Sequence, residues 1–133
     1  MGLPPRTATD WTIAVSGVLA LTMGAAGLIR PDKQLEMMGD NPDERGPGDH
    51  TPAVLATSSI AAVNMGWLYL RGVKKDWPGF PAFTVGARSL MAAGMVGLMA
   101  TGRAPKSFKA AALWEGLGAA ATGAAIIWDR RRA

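Results

Sequence analysis

An apolar stretch that runs from Phe108 to Trp128 most constrains what this chain can fold into. It consists mainly of Ala, Gly, Leu, Ile and Trp, and about 20 such residues in a helix cross the roughly 30 Å hydrocarbon core of a membrane. Beyond its first turn the only ionisable side chain is that of Glu115. Because a charge inside a membrane span is costly, we expect Glu115 to face other helices rather than lipid.

Three further apolar stretches precede this one, and proline marks the breaks between them. All nine prolines lie outside residues 11–29, 53–70, 82–101 and 108–128, as expected of helices, because proline disrupts a helix interior. Charged residues make up only 18% of the chain and fall mostly between these stretches. The sequence therefore predicts an all-α fold: a single membrane-embedded domain over residues 1–133, built as an up-down antiparallel bundle of four transmembrane helices.

The polar loop of residues 30–51 joins the first two spans. Its first part, Pro31–Met38, is predicted to form a short helix with proline in its first turn and Gly39 just after its end. Leu35 and Met38 share one side of this helix, so we expect it to lie at the membrane interface. The remainder of the loop is rich in Gly, Pro, Asp and Asn, which predicts an irregular structure.

The composition excludes several kinds of site. The chain contains no Cys and a single His, His50, in the polar loop, whereas haem, zinc and di-iron sites need several His, Cys or clustered carboxylate ligands. We therefore expect no metal and no cofactor. The net charge of +4 comes from short clusters beside the spans, a pattern typical of membrane topology rather than of nucleic-acid binding. The expected partner is the lipid bilayer, with a second copy or another membrane protein left open.

The basic residues also predict an orientation. Four spans place both termini on one side together with the loop between the second and third spans, and that side carries seven Lys and Arg against three Asp. The other side carries six Lys and Arg against six acids. Since basic residues favour the cytosolic side, both termini are predicted to be cytosolic. The membrane would be the endoplasmic reticulum in a eukaryote and the inner membrane in a bacterium.

Small residues at four-residue spacing predict where the helices touch, because close approach of helices in lipid depends on small side chains. One such stripe lies on each of the second and third spans, and two lie on the fourth. They are Ser58–Ala62–Gly66, then Ser89–Ala93–Gly97–Thr101, and finally Ala112–Gly116–Ala120–Ala124 and Ala111–Glu115–Ala119–Gly123. Glu115 is therefore predicted to point into a helix contact.

Arg88, Asn64 and Glu115 are polar residues inside predicted spans. At about 1.5 Å per residue, Asn64 and Arg88 should be level, whereas Glu115 should lie roughly 10 Å from them along the membrane normal. A direct bridge between Arg88 and Glu115 would then need a bent or extended arginine, and a water or a polar ligand could otherwise fill the gap. The candidate catalytic residues are Glu115 and Arg88, and the candidate ligand-binding residues are Asn64, Trp67, Trp114, Met91 and Met95. The alternative is that the polar residues only fix the order of the helices.

Two segments carry a resemblance to a known group of proteins. They are GAAGLIRPDKQLEMMGDNP after the first span and VGARSLMAAGMVGLMATGRAPKSFKAAALWEGLGAAATG over the third and fourth. They resemble the small four-helix membrane proteins of unknown function grouped with the DoxX-like families, which show a proline after the first helix, Gly-Ala-Arg near the start of the third and an acidic residue within the fourth. The matching residues are Pro31, Gly86–Ala87–Arg88 and Glu115. The resemblance implies a four-helix membrane fold, supports the choice of Arg88 and Glu115, and leaves function open.

Three classes of function fit these features. The first is a bundle with a polar pocket that binds or helps to process a lipophilic small molecule, such as a polyketide or terpenoid of a secondary-metabolite pathway. The second is a cofactor-independent isomerase or cyclase, in which Glu115 donates or removes a proton and Trp114 or Trp67 stabilises a developing cation. The third is a structural subunit of a membrane complex. Whether the protein is an enzyme is left open.

Overall fold

A computed structural model of the chain describes residues 5–133, and within that range the regular secondary structure is entirely helical. Four of the helices in this range are long and apolar enough to cross a membrane. The helices are α1 (Ala8–Ile29), α2 (Pro31–Met37), α3 (Thr51–Lys75), α4 (Phe80–Ala100) and α5 (Lys109–Arg132), with short 3₁₀ turns at Pro42–Glu44 and Lys106–Phe108. The predicted all-α fold with four candidate spans is confirmed, and the up-down order of the spans stays a prediction.

The helix ends follow the expected signals, and at their C-termini two helices extend beyond the predicted spans. α3 continues to Lys75 and α5 to Arg132, beyond the predicted ends at 70 and 128. Basic residues occupy both of these last turns, where a cation interacts favourably with the negative end of the helix dipole. At the start of α4, Gly79 has a φ of 73° and Pro81 lies in the first turn. Both residues favour a sharp beginning of that helix.

The described chain forms two compact units, and α1 and α3 contribute residues to both. The first unit comprises the residues up to Ser16 together with Tyr69–Ala133, and therefore contains the whole of α4 and α5. The second unit is Gly17–Leu68, which includes α2 and the polar loop. The candidate residues Arg88 and Glu115 both belong to the first unit.

In the second unit, α1 and α3 approach each other closely at two glycines. A Cβ atom at Gly24 would lie 2.7 Å from the carbonyl oxygen of Ser59, and one at Gly66 would lie 2.7 Å from Cγ of Leu21. Larger side chains at either position would push the helices apart. Gly66 therefore confirms one predicted contact residue, whereas Ser58 of the same stripe is exposed.

The polar loop of the second unit folds back on itself through charged side chains. Arg45 pairs with Asp32 and with Asp40, each at 2.7 Å, and Leu35 of α2 is buried. Gly39 has a φ of 90° and follows the last turn of α2, as glycine commonly does at a helix C-terminus. The short helix lies close to its predicted limits, and its location at a membrane interface stays a prediction.

Aromatic packing fixes the turn between α3 and α4 in the first unit. The ring of Phe80 lies over Gly72, where a Cβ atom would overlap it. The centroid of this ring lies 6.1 Å from that of Tyr69 and 5.6 Å from that of Trp77, both in edge-to-face arrangements that are favourable for aromatic pairs. The start of α4 is therefore fixed, and with it the position of Arg88 about two turns later.

The small-residue stripe predicted on α4 is wrong as a helix contact. Its four residues are all exposed, and a Cβ atom at Gly97 would have no described neighbour within 4 Å. The buried face of α4 contains Thr84 and Arg88 instead. Ser89, which begins the stripe, lies about 100° around the helix from Arg88. Once Arg88 points inward, the stripe that starts at Ser89 faces away from the protein.

On α5, each of the two predicted stripes contributes part of the buried helix face. Ala112 from one stripe and Ala119 from the other are buried, whereas Ala120 is exposed. A strict four-residue spacing drifts by about 40° per step around a helix with 3.6 residues per turn. Residues that face a neighbouring helix therefore alternate between the two stripes.

Candidate functional site

Arg88 is the centre of a buried polar cluster in the first unit and is only 4% exposed. Its Nε donates to Glu115 Oε2 at 3.0 Å. One terminal nitrogen donates to Ser16 Oγ at 2.7 Å, and the other donates to the Trp114 carbonyl oxygen at 3.3 Å. A single side chain of α4 is therefore tied to both α1 and α5.

Of the two arrangements expected for Arg88 and Glu115, the structure shows the direct bridge, because the two side chains form an ion pair. Helix rise gives the offset between backbone positions, and two long side chains can span such an offset. Gly118 makes this possible here, since a Cβ atom at Gly118 would overlap the Arg88 guanidinium. The guanidinium therefore lies directly against the backbone of α5.

Ser16 and Gly118 belong to this site and were not predicted from the sequence. Ser16 is the one serine of α1, and a hydroxyl inside an apolar span is a signal for an internal hydrogen bond. Gly118 carries no comparable signal, because α5 contains two other glycines. A Cβ atom at Gly123 would have no described neighbour within 4 Å, and one at Gly116 would touch only Ala92.

The Arg88–Glu115 pair has its charges compensated inside the protein, as charged groups in a membrane span require. The ring of Trp114 adds to this, since its centroid lies 5.4 Å from Arg88 Cζ, within the range of cation–π attraction. The Glu115 side chain is 23% exposed, so the carboxylate is not fully enclosed. Removing one partner of a buried pair typically costs about 3–5 kcal/mol, because the other charge is left unpaired.

A line of polar groups continues along the contact between α1 and α5. Ser16 donates to the Thr12 carbonyl oxygen at 2.8 Å, and Thr122 donates to Thr12 Oγ1 at 3.1 Å. Further along, Asp129 accepts hydrogen bonds from the Thr9 amide at 2.8 Å and from the Thr9 hydroxyl at 2.6 Å. The first turn of α1 is therefore fixed to the last turn of α5.

On α5 the polar residues that make these contacts recur every seven positions, at Glu115, Thr122 and Asp129. A seven-residue repeat keeps side chains on one face of two packed helices. This repeat was available in the sequence as three polar residues at a fixed period. Small residues at four-residue spacing do not reveal it.

Trp114 is a predicted ligand-binding residue that the structure brings to the Arg88–Glu115 pair. The two candidate methionines lie on α4, where Met91 is exposed and Met95 is half-buried. The indole of Trp114 is itself half-exposed.

The remaining candidates belong to the second unit. Asn64 and Trp67 are exposed residues of α3 in the second unit, and His50 is exposed directly before the start of that helix. Within residues 5–133, no three His, Asp or Glu side chains come together in a group that could hold a metal ion.

An apolar groove of about 360 Å³ lies between α4 and α5, and we refer to it as the α4–α5 groove. It is lined by Ala92, Val96 and Met99 of α4 and by Lys109, Ala112, Leu113, Gly116 and Leu117 of α5. Ala92 follows Arg88 by one helical turn, and Gly116 directly follows Glu115. The groove therefore begins beside the ion pair on both helices.

Comparison of the chain with family models, with curated proteins and with solved structures gave no match. The site itself offers a compensated ion pair, a partly exposed carboxylate and an adjoining apolar groove. Such a combination suits an apolar molecule that carries one polar group, because the groove covers the apolar part and the carboxylate accepts a hydrogen bond.

Proposed function

We propose that this protein is a multi-pass membrane protein that binds a lipophilic small molecule in the α4–α5 groove. The observation that carries the proposal is the groove itself, which has a volume of about 360 Å³ and a lining that is apolar apart from Lys109. Ligand pockets in proteins typically have volumes of roughly 300–1,000 Å³ and mainly apolar linings. The α4–α5 groove falls within this range.

Small residues form the floor of the groove. Ala92 and Ala112 face this space, and a Cβ atom at Gly116 would have a single neighbour, Ala92 Cβ, at 3.9 Å. The side chains of Val96 and Leu113 form walls and are exposed on the outer surface of the helices. In a bilayer this surface faces lipid, so a molecule dissolved in the membrane can enter the groove sideways.

The Arg88–Glu115 pair supports the same proposal in two ways. It fixes α4 against α5 and so maintains the shape of the groove. The 23% exposure of the Glu115 side chain also leaves carboxylate surface that can accept a hydrogen bond from a hydroxyl or amine. A lipophile with one such group, as terpenoids and polyketides have, fits this combination.

Proton transfer in the same place is the second candidate function. A cofactor-independent isomerase or cyclase would use the partly exposed Glu115 carboxylate to move a proton and the Trp114 ring to stabilise a developing cation. The hydrogen bond from Arg88 to Glu115 argues against this role, since protonation of the carboxylate would leave a buried guanidinium without its counter-ion. Binding is therefore the better-supported function.

Photolabelling tests the binding proposal in membranes. The probe is a terpenoid alcohol that carries a diazirine, and labelled residues are identified by mass spectrometry of peptides. We expect label to concentrate on the groove residues Val96, Leu113 and Leu117. Leu90 and Ile60 provide an internal reference, because they are also exposed apolar residues of candidate spans but do not line the groove.

Two glycine variants provide the matched control. Gly116→Leu places a bulky side chain on the floor of the groove and should reduce labelling there several-fold. Gly94→Leu adds the same side chain to an exposed position of α4, where a Cβ atom would have no described neighbour within 4 Å, and should leave the labelling unchanged. Labelling that simply follows exposure, with Leu90 and Ile60 modified as strongly as the groove, would contradict the proposal and favour a structural subunit.

A further inference from the structure

One end of the first unit brings together three separate segments of the chain. Thr9 at the start of α1 donates to Asp129 at the end of α5. Arg6, which precedes α1, pairs with Asp76 of the turn between α3 and α4 at 3.4 Å. The start of α1, the α3–α4 turn and the end of α5 therefore meet at this end, which we call the basic end.

The acidic side chains at the basic end are engaged within the protein. Asp129 accepts hydrogen bonds from the backbone amides of Ala8 and Thr9. Asp10 accepts from the amide of Arg6 at 2.9 Å, and Asp76 pairs with the Arg6 guanidinium. The negative charges of this end are therefore turned toward backbone amides and toward one arginine.

The basic side chains of the same end are exposed, including that of Arg6, which pairs with Asp76. Seven Lys and Arg residues stand against three Asp residues here, and all seven are exposed. They are Arg6, Arg71, Lys74, Lys75, Arg130, Arg131 and Arg132. Because most of them lie in the last turns of α3 and α5, they form a positive surface directly beside the candidate spans.

Exposed tryptophans accompany this positive surface. Trp11, Trp77 and Trp128 come from the three segments that meet here, and their exposures are 57%, 38% and 52%. Exposed tryptophan at the end of a span prefers the headgroup layer. The guanidinium of Arg132 stacks on Trp128, with Cζ 4.0 Å from the ring centroid, so at least one cation lies at the same depth as an indole.

We propose that the basic end binds the phosphate groups of anionic phospholipids in the leaflet that surrounds it. Clusters of four to eight Lys and Arg beside a membrane span attract anionic lipids, and each cation near such a surface adds roughly fivefold to the binding. The tryptophans and the cations support the same ligand independently. The tryptophans favour the depth of the headgroup layer, and the cations attract negatively charged phosphate groups. This binding site is separate from the α4–α5 groove and does not depend on the function proposed for it.

Quenching of Trp128 fluorescence by brominated lipids measures the proposed enrichment. A variant that keeps Trp128 as its only tryptophan, with Trp11, Trp67, Trp77 and Trp114 replaced by Phe, is reconstituted in phosphatidylcholine vesicles. Brominated phosphatidylglycerol is then compared with brominated phosphatidylcholine at equal mole fraction. We expect the anionic lipid to quench at least about twofold more, and the difference to vanish near 1 M salt, where the screening length is about 3 Å.

Charge variants of this single-tryptophan protein show which cations cause the excess quenching by the anionic lipid. Arg130→Gln with Arg131→Gln should lower the excess quenching and leaves the Arg132–Trp128 stack in place. Lys74→Gln with Lys75→Gln should lower it as well, although these residues lie on another helix. Arg103→Gln with Lys106→Gln removes the same charge from the α4–α5 connection and should leave it unchanged.

Equal quenching by the two lipids in the protein with all its cations would overturn the proposal. An excess that survives when Lys74, Lys75, Arg130 and Arg131 are all replaced would overturn it too, because the attraction would then not come from the basic end. Circular dichroism of each variant confirms that the helices are retained, so that a lost excess reports lipid binding rather than unfolding.

Discussion

The guanidinium of Arg88 lies against the backbone of α5 at Gly118, almost one turn beyond the carboxylate of Glu115 with which it pairs at 3.0 Å. A membrane span offers no water to a buried arginine, so protein groups must accept its hydrogen bonds. Glu115, Ser16 and the Trp114 carbonyl oxygen do so. Arg88 thus connects α4 to α1 and α5, and Gly118 leaves room for its guanidinium.

Gly118→Ala is expected to destabilise the protein even though it adds only one methyl group. The methyl would occupy the space of the Arg88 guanidinium, and overpacking of this kind typically costs about 1–3 kcal/mol. Gly97→Ala is the control, because Gly97 is exposed and a Cβ atom there would have no described neighbour within 4 Å. It should leave stability unchanged or raise it by up to about 1 kcal/mol, because alanine favours a helix interior over glycine. Thermal unfolding in detergent measures both, and equal midpoints would contradict the assigned contact.

Breaking the Arg88–Glu115 pair from one side should cost more than removing both charges. Arg88→Met or Glu115→Leu alone leaves a buried charge without its partner, which typically costs about 3–5 kcal/mol. The double variant leaves neither charge and should recover much of that loss. A double-mutant cycle on the same unfolding assay provides the coupling energy. Strictly additive single effects would show that the two side chains do not interact.

The spans and the charged pair could be predicted from the sequence, because both depend on residue type along the chain. Four apolar stretches between prolines give four candidate spans, and Arg88 and Glu115 stand out as charges within them. The rotation of each helix about its own axis, which decides which of its faces is buried, could not be predicted in the same way. That rotation is set by contacts with other helices, which small residues on several faces of one helix do not distinguish.

Gly97 and Gly118 show why the residues that surround Arg88 could not be predicted from the sequence. Both are glycines inside apolar helices, yet one is exposed and the other makes room for Arg88. For a related reason the sequence left open whether Arg88 and Glu115 form a direct bridge, since helix rise describes backbone positions and not the reach of side chains. Ser16 also belongs to the site, but it lies on α1, where no site residue was predicted.

Single-cysteine labelling tests the topology, and the absence of native Cys makes each introduced thiol the only reactive one. Lys74→Cys and Arg131→Cys should react from the same side of sealed vesicles, because the α3–α4 turn and the end of α5 both belong to the basic end. Asp43→Cys in the polar loop should react from the opposite side. Labelling of positions 43 and 74 from one side would contradict an antiparallel four-span arrangement.

Asp49 is expected to titrate at lower pH than an ordinary aspartate. Hydrogen bonds from the side chain and the backbone amide of Thr51 hold the pKa of Asp49 below its usual value. Because the folded pKa is lowered, this contact contributes fully above the unfolded value of about 3.9 and is lost as the pH falls through the folded value. The Thr51 amide shift in NMR should follow that titration, and Asp49→Asn should abolish it. A midpoint above about 4 would contradict the contact.

Glu115→Gln separates ligand binding from proton transfer at the α4–α5 groove. Glutamine keeps the shape of the side chain and an oxygen that accepts the hydrogen bond from Arg88 Nε, but it has no proton to exchange. It also removes the counter-ion of Arg88 and should lower stability, so labelling is compared at equal amounts of folded protein. If the groove only binds its ligand, photolabelling of Leu113 and Leu117 should stay within a few-fold of the unsubstituted protein. Arg88→Lys is the companion variant, since lysine keeps the charge and loses the planar fork that reaches three acceptors.

The decisive measurement for Glu115→Gln is complementation of a gene deletion, with metabolite extracts compared and protein amounts checked by immunoblot. We expect the variant to restore the metabolite profile, because binding needs an acceptor and not a titratable group. A general acid or base contributes about 10²–10⁴-fold to a rate, so a proton-transfer role would appear as a nearly complete loss of product. That loss, in a variant that is made at normal levels and still labels in the groove, would replace the binding proposal with an isomerase or cyclase that uses Glu115.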